Sequence, residues 1–152
     1  MPYSTNTQFA VGVHMLTLLA DRGPELLSSE DMAASADANP VYVRRVLGRL
    51  REAGIVSSRP GLGGGWALLR DPADIALGDV WRAIQTDDRL LGLHEVNPRC
   101  EDGQAIHRRL AAVDRRVSAA VQSELDRITV AEMLRSQIGS AAAYPAGLRP
   151  GT

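Results

Sequence analysis

Three groups of residues in this 152-residue chain have types and spacings that could do chemistry. The first is the stretch SSRPGLGGGWALLRD, Ser57 to Asp71, where Gly61, Gly63, Gly64 and Gly65 fall within five residues behind Pro60. Glycines crowded in this way either cradle a phosphate or shape a tight exposed turn. A phosphate cradle needs a buried strand before the loop and a helix directly after it, so that the helix N-terminus faces the anion. Gly61 and Gly63 begin a G-x-G-x-x-G pattern, but its last position is Trp66, and the loop runs on into the apolar stretch WALLR and then Pro72. The Gly-Lys-Ser/Thr of a P-loop is missing as well. The glycines therefore read as suppliers of positive φ, and of a tip slim enough to press against another surface.

The second group is cationic. Residues 39 to 70 carry Arg44, Arg45, Arg49, Arg51, Arg59 and Arg70 against the single acid Glu52, a local charge of +5 in a chain whose total is −1. The rest of the molecule is acidic, which is the layout expected when one face meets a polyanion. All the basic residues are arginine and none is lysine. Part of that bias reflects genome composition, so it does not mark each arginine as a bidentate contact.

The third group is Cys100 with His94 and His107. A single cysteine excludes an internal disulfide and a cysteine-only metal site, and the three spacings fit no standard zinc pattern. Cys100 stays open between an inert loop thiol, a redox switch and a residue at a small-molecule pocket. Arg99 favours its thiolate, while Glu101 and Asp102 oppose it. His14, on an otherwise apolar segment, is expected to make a local hydrogen bond.

The elements that must position these groups are mostly helical. Hydrophobic residues make up 45% of the chain, charged residues 23% and aromatics 4%, so the core is built from Ala, Val, Leu and Ile. The run Phe9 to Ala20, interrupted by His14 and Thr17 and not preceded by basic residues, reads as a buried helix rather than a signal peptide or membrane span, which points to the cytoplasm. Asn6 is placed to cap that helix. Ser28 with Asp31 resembles a capping pair for a short helix over Glu30 to Ala36, and Asn39-Pro40 starts another that reaches Ala53 before Gly54. IVSSR and WALLR form a hairpin around the glycine loop, and a further helix spans about Gly78 to Gln85. Trp66 and Trp81 are assigned to the core. After an aperiodic stretch, a long amphipathic helix begins near Gln104, with Ile106, Leu110, Val113, Val117, Val121, Leu125 and Ile128 at intervals of three or four. Its near-heptad spacing and the lack of an apolar partner of similar length favour pairing with another chain over folding back. Thr129 and Glu132 cap a last helix to about Ile138.

A short helix, an Asn-Pro turn, an arginine-bearing helix and a hairpin make a winged helix-turn-helix, in which the second helix enters the DNA major groove. With Val43, Leu47 and Leu50 inward, 100° per residue turns Val41, Arg45 and Gly48 outward and sets Arg44 and Arg49 on the flanks. The string NPVYVRRVLGRLREAGIVSSRPGLGGGWALLRDPADIALGDVWRAI resembles the Rrf2 family of bacterial winged-helix transcription regulators, and the likeness extends from about Tyr3 to ITVAEML. The resemblance implies a mainly α fold: a winged helix-turn-helix with a two-stranded wing, followed by a long C-terminal dimerisation helix. It also implies a homodimer that binds a pseudo-palindromic operator in double-stranded DNA, with the wing near the minor groove or backbone. Carried over position by position, the DNA-facing set is Asn39, Val41, Tyr42, Arg44, Arg45, Gly48, Arg49, Arg59, Gly61, Gly63 and Gly64. Domains then divide as residues 1–86 for DNA binding, 87–103 as a connecting or sensor loop, 104–138 for dimerisation and 139–152 as a flexible tail.

Many members of the family hold a two-iron two-sulfur cluster on three closely spaced cysteines. With Cys100 alone the chain is more like the cluster-free branch, and no cofactor is expected unless His94 or His107 substitutes for thiolate. The signal is then open, either a small molecule or an oxidant acting through Cys100, and repression is the expected mode. Two readings compete: an enzyme that uses the glycine loop for a nucleotide, although no base, nucleophile and metal set stand at usable spacing, and an interaction adaptor that has lost DNA binding.

Overall fold

The computed structural model describes residues 5–85 and 89–138. Helix α1 spans Thr5–Arg22, α2 Ser29–Ser35 and α3 Pro40–Glu52; strands β1, Val56–Arg59, and β2, Gly65–Leu68, precede a 3₁₀ turn at Pro72–Asp74; α4 is Leu77–Ile84, α5 Glu101–Leu125 and α6 Val130–Ile138. The architecture is the mainly α winged helix-turn-helix with a long C-terminal helix that the sequence implies. Asn6 lies one residue inside α1 rather than ahead of it. The expected tail 139–152 and the domain boundary at 86 and 87 fall outside the described residues.

Local chemistry explains most boundaries. Ser28 caps α2 by accepting from the Asp31 N–H at 3.0 Å, and Asn39 Oδ1 caps α3 by accepting from Val41 N–H at 2.8 Å, with Pro40 at the first helical position. Gly54 at φ +71° ends α3. The box at Thr129 and Glu132 is reciprocal, since Thr129 N–H donates to Glu132 Oε2 at 2.9 Å and Glu132 N–H to Thr129 Oγ1 at 3.3 Å.

The core is aliphatic. Met15, Leu16 and Leu19 of α1, Val43, Val46, Leu47 and Leu50 of α3, and Val80 and Ile84 of α4 are fully buried or nearly so. Each such side chain contributes on the order of 1.5–3 kcal/mol relative to exposure. Gly12 lies at the α1/α4 crossing, where a β-carbon would stand 2.6 Å from Ile84 Cδ1 and that side chain would have to shift. Trp81 meets Phe9 edge to face at 5.3 Å.

Two connections are tertiary and not local. Strands β1 and β2 pair antiparallel, Val56 opposite Leu68 and Arg59 opposite Gly65, and Leu27 adds a one-residue third strand by exchanging hydrogen bonds with Trp66. The segment after α5 returns to the domain through Leu77 N–H to Ile128 O at 2.8 Å and Val130 N–H to Ile75 O at 3.0 Å. Among the described residues no helix is long and apolar enough to cross a membrane.

Candidate nucleic-acid interface

Helices α2 and α3 form the helix-turn-helix, and α3 buries Tyr42, Val43, Val46, Leu47 and Leu50. Its outer side presents Val41, 59% exposed, the exposed Arg45, and Gly48, whose missing β-carbon would meet nothing within 4 Å. Tyr42, expected among the DNA-facing residues, is instead only 7% exposed and belongs to the core, a correction that the packing around α3 decides.

The arginines divide by what holds them. Arg44 donates to Glu30 Oε1 at 2.7 Å and to Ser29 Oγ at 3.1 Å, so much of its charge is already met at the surface by α2. Hydrogen bonds accepted from its own backbone N–H, from Arg44 and from Ser29 keep the Glu30 carboxyl below its ordinary range. Arg49, expected to reach DNA from the flank, points into the domain and donates to Gln8 Oε1 at 3.0 Å and to the Ile84 carbonyl at 2.8 Å. It ties α3 to α1 and to the C-terminal end of α4. Arg51 reaches the wing, donating to Ser58 Oγ at 2.9 Å and lying 5.8 Å from the Trp66 ring centre. Arg70 turns to the start of α4, to the Asp74 carbonyl and to Asp79 Oδ2. Of the cations expected at the DNA face, Arg45 and Arg59 are exposed, and their side chains make no hydrogen bond or ion pair among the described residues.

The wing is a hairpin, and its loop enters β2, not a helix, so it offers no helix N-terminus to a phosphate. Gly61 and Gly63 take φ of +87° and +73°, and Gly64 N–H closes the turn on Gly61 O at 3.0 Å. A β-carbon at Gly64 would fall 2.1 Å from the Arg59 carbonyl oxygen. Leu62, which the reading of the sequence passed over, projects from the tip; a large apolar residue set between glycines was the available signal.

Helix α5 starts at Glu101, three residues before the expected Gln104, because Cys100 caps it: Sγ accepts from Gly103 N–H at 3.3 Å. Its apolar stripe is split. Ile106 and Val113 are 54% and 45% exposed, with Leu110, Val117 and Val121 half-buried beside them. Leu125 and Ile128 pack instead against the chain's own core, and Ile128 lies beyond the helix in the turn to α6. That corrects their assignment to a partner-facing seam. Asp114, absent from the expected set, is 3% exposed and accepts from the Leu90 and Leu91 N–H groups at 3.0 and 2.7 Å, clamping the connecting segment to α5. An acid in line with Leu110 and Val117 was its only mark in the sequence.

The joint between α4 and α5 is ionic. Arg82 donates to Asp79 Oδ1 at 2.8 Å and to Asp126 Oδ1 at 2.9 Å, and Gln122 donates to Asp126 Oδ1 at 3.1 Å. Burial works to raise the Asp79 carboxyl, but hydrogen bonds from Arg82 and the Ala76 N–H, with the Arg70 and Arg82 charges, bring it below its ordinary value. Gly78 permits the contact, as a β-carbon there would sit 1.8 Å from Asp126 Oδ1. His14 bonds Ser35 Oγ at 3.0 Å, twenty-one positions away, so its expected local bond is in fact a link from α1 to α2.

A model of the Rrf2 family, described as an iron-dependent transcriptional regulator, matches residues 5–136. The HTH-type transcriptional regulator YwnA of Bacillus subtilis is 40% identical over 121 residues, covering 79% of this chain and 89% of that protein. The crystal structure of a "putative DNA binding protein" aligns with a TM-score of 0.68 at 35% identity, over 84% of this chain and 98% of its own. The T. potens protein IscR aligns with a TM-score of 0.62 at 25% identity, over 95% and 94%. Cys100 is the sole thiol of the chain, its sulfur caps α5, and no three His, Cys, Asp or Glu among the described residues are placed to share an ion.

Proposed function

Because the chain belongs to the Rrf2 family of DNA-binding transcriptional regulators, we propose that it acts in the cytoplasm as a homodimeric repressor on a pseudo-palindromic operator, without an iron–sulfur cluster. The reading is carried by one observation: on α3 and the wing, Arg45 and Arg59 stay exposed and uncommitted while the neighbouring arginines are bound within the protein. Uncommitted guanidinium groups are the ones available for phosphate or guanine contacts. Val41, exposed one turn before Arg45, suits a thymine methyl group. Ile106 and Val113 on α5, seven residues apart, with Leu110 and Val117 between and after them, form a 4-3 seam for the same helix of a second copy. A two-fold pair of reading helices sets half-sites about 34 Å apart, or a multiple of that.

The test is selection of duplexes from a random-sequence library, followed by affinity titration of the recovered sites across a salt series. The protein should recover an inverted repeat, with log affinity falling linearly in log salt. Arg45→Ala should weaken the selected site and flatten the salt dependence while leaving the melting temperature unchanged. Arg49→Ala should lower the melting temperature and disturb binding only through stability. Recovery of no sequence preference would refute the operator reading, and equal binding by Arg45→Ala would refute the assignment of its face.

A further inference from the structure

The structure assigns a role to Leu62 that rests on the DNA-binding reading and adds to it: we propose that this side chain is a wedge, inserted from the minor groove between base pairs of the bound duplex. Leu62 is 109% exposed relative to the extended residue, and no part of the described chain covers it. It is also held in place. Gly61 and Gly63, at φ +87° and +73°, set the tip, and the Gly64 N–H to Gly61 O bond of 3.0 Å closes it. The base of the wing is pinned by the paired hydrogen bonds between Leu27 and Trp66, 3.1 and 2.8 Å, and by Arg51 beside the Trp66 ring. An apolar side chain thus stands in water on a braced stalk.

The surroundings select its occupant. Residues 57 to 70 contain Arg59 and Arg70 and no acid, and Arg59 stands exposed at the foot of the tip opposite Gly65. A purely apolar groove on another protein would leave that cation unmatched. The minor groove of a duplex matches both parts, with phosphates on its rims and apolar base faces that a side chain uncovers by prying a step apart. Glycines on either side of Leu62 keep the tip narrow, as a groove about 6 Å wide requires. Leucine is among the side chains that pry base steps apart and kink the duplex, and pyrimidine–purine steps yield most readily. The wing would then add sequence preference without a hydrogen bond to any base.

The test uses the full chain and the duplexes recovered by the selection above, with donor and acceptor dyes on the DNA ends. Wild type should kink the duplex by roughly 20–90°, read as a rise in energy transfer, and the selected sites should carry a TA or CA/TG step at the wing position. Leu62→Ala should lose roughly 10-fold or more in specific affinity and most of the kink. Its melting temperature, its assembled mass and its salt dependence should stay those of wild type. Leu62→Met, a flexible side chain of similar size, should restore both affinity and kink. Binding and bending by Leu62→Ala within about 2-fold of wild type would overturn the wedge while leaving the DNA-binding reading intact. A lower assembled mass for DNA-free Leu62→Ala would overturn it in favour of a contact between copies. Failure of wild type to select any duplex would remove both.

Discussion

At Gly48 a β-carbon would meet no atom of this chain within 4 Å, so nothing inside the domain requires glycine there. The residue costs α3 roughly 1 kcal/mol relative to alanine, a loss that close approach of a partner to the outer face would account for. Gly48→Ala should therefore raise the melting temperature and weaken the selected DNA site, two opposite changes measured on the same preparation. A stabilised variant with undiminished affinity would mean the glycine serves nothing on that face. The exposure of Val41 and Arg45 could be read from helical periodicity, because an inward set of Val43, Leu47 and Leu50 leaves few choices for the rest. The commitments of Arg44, Arg49 and Arg70 could not. Their partners lie 14 to 15, 35 to 41 and 4 to 9 residues away, and which long guanidinium reaches which carbonyl or carboxylate depends on how the elements pack.

Among elements, the joint of α1 and α2 carries the clearest pH dependence. Burial holds His14 below its ordinary 6.5 while Nε2 lies 3.0 Å from Ser35 Oγ. The folded state thus resists protonation of a group that the unfolded chain protonates freely. Stability from this site is complete above about pH 6.5 and declines as pH falls below it, since the unfolded state then binds more protons. Thermal melts at about pH 8 and about pH 5 should show the wild type losing stability on acidification, and His14→Gln losing less. An identical slope in both proteins would assign the loss to other groups. Asp79 does not confuse the comparison. Its carboxyl lies below the usual carboxylate range, so its contribution is lost only at more acid pH. The caps at Ser28, Asn39 and Thr129 were legible because capping is a relation between neighbours. The early start of α5 was missed because thiol caps are outside the usual preferences and the acids of its first turn read as loop.

For the whole molecule, the deciding feature is a long helix that its own chain covers on one side. The domain takes Leu125 and, just beyond the helix, Ile128, while Asp114 fastens the connecting segment and Ile106 and Val113 are left facing water. Placing a charge in that exposed seam should separate copies without unfolding the domain. Val113→Asp should sediment as a monomer, keep the helical signal of the wild type and lose most affinity for a two-half-site duplex, because it forfeits the gain from joined half-sites. A dimer that survives this substitution would place the interface elsewhere. The ionic joint of Asp79, Arg82 and Asp126 links the end of α5 to α4; in the proposed dimer the spacing of the two α3 helices would follow from how α5 pairs.

The amino-acid sequence alone determined the order of elements, the inward face of α3, the hairpin about the glycines and the family to which the chain belongs. All of these rest on periodicity, capping and turn chemistry between residues close in the chain. Tertiary structure alone decided which arginines remain available, that Tyr42 is interior, that Leu27 joins the wing, and that the apolar stripe of α5 serves two masters. Those outcomes depend on distances between residues far apart in sequence, set only when the helices have packed and each polar side chain has taken the nearest partner that packing leaves within reach.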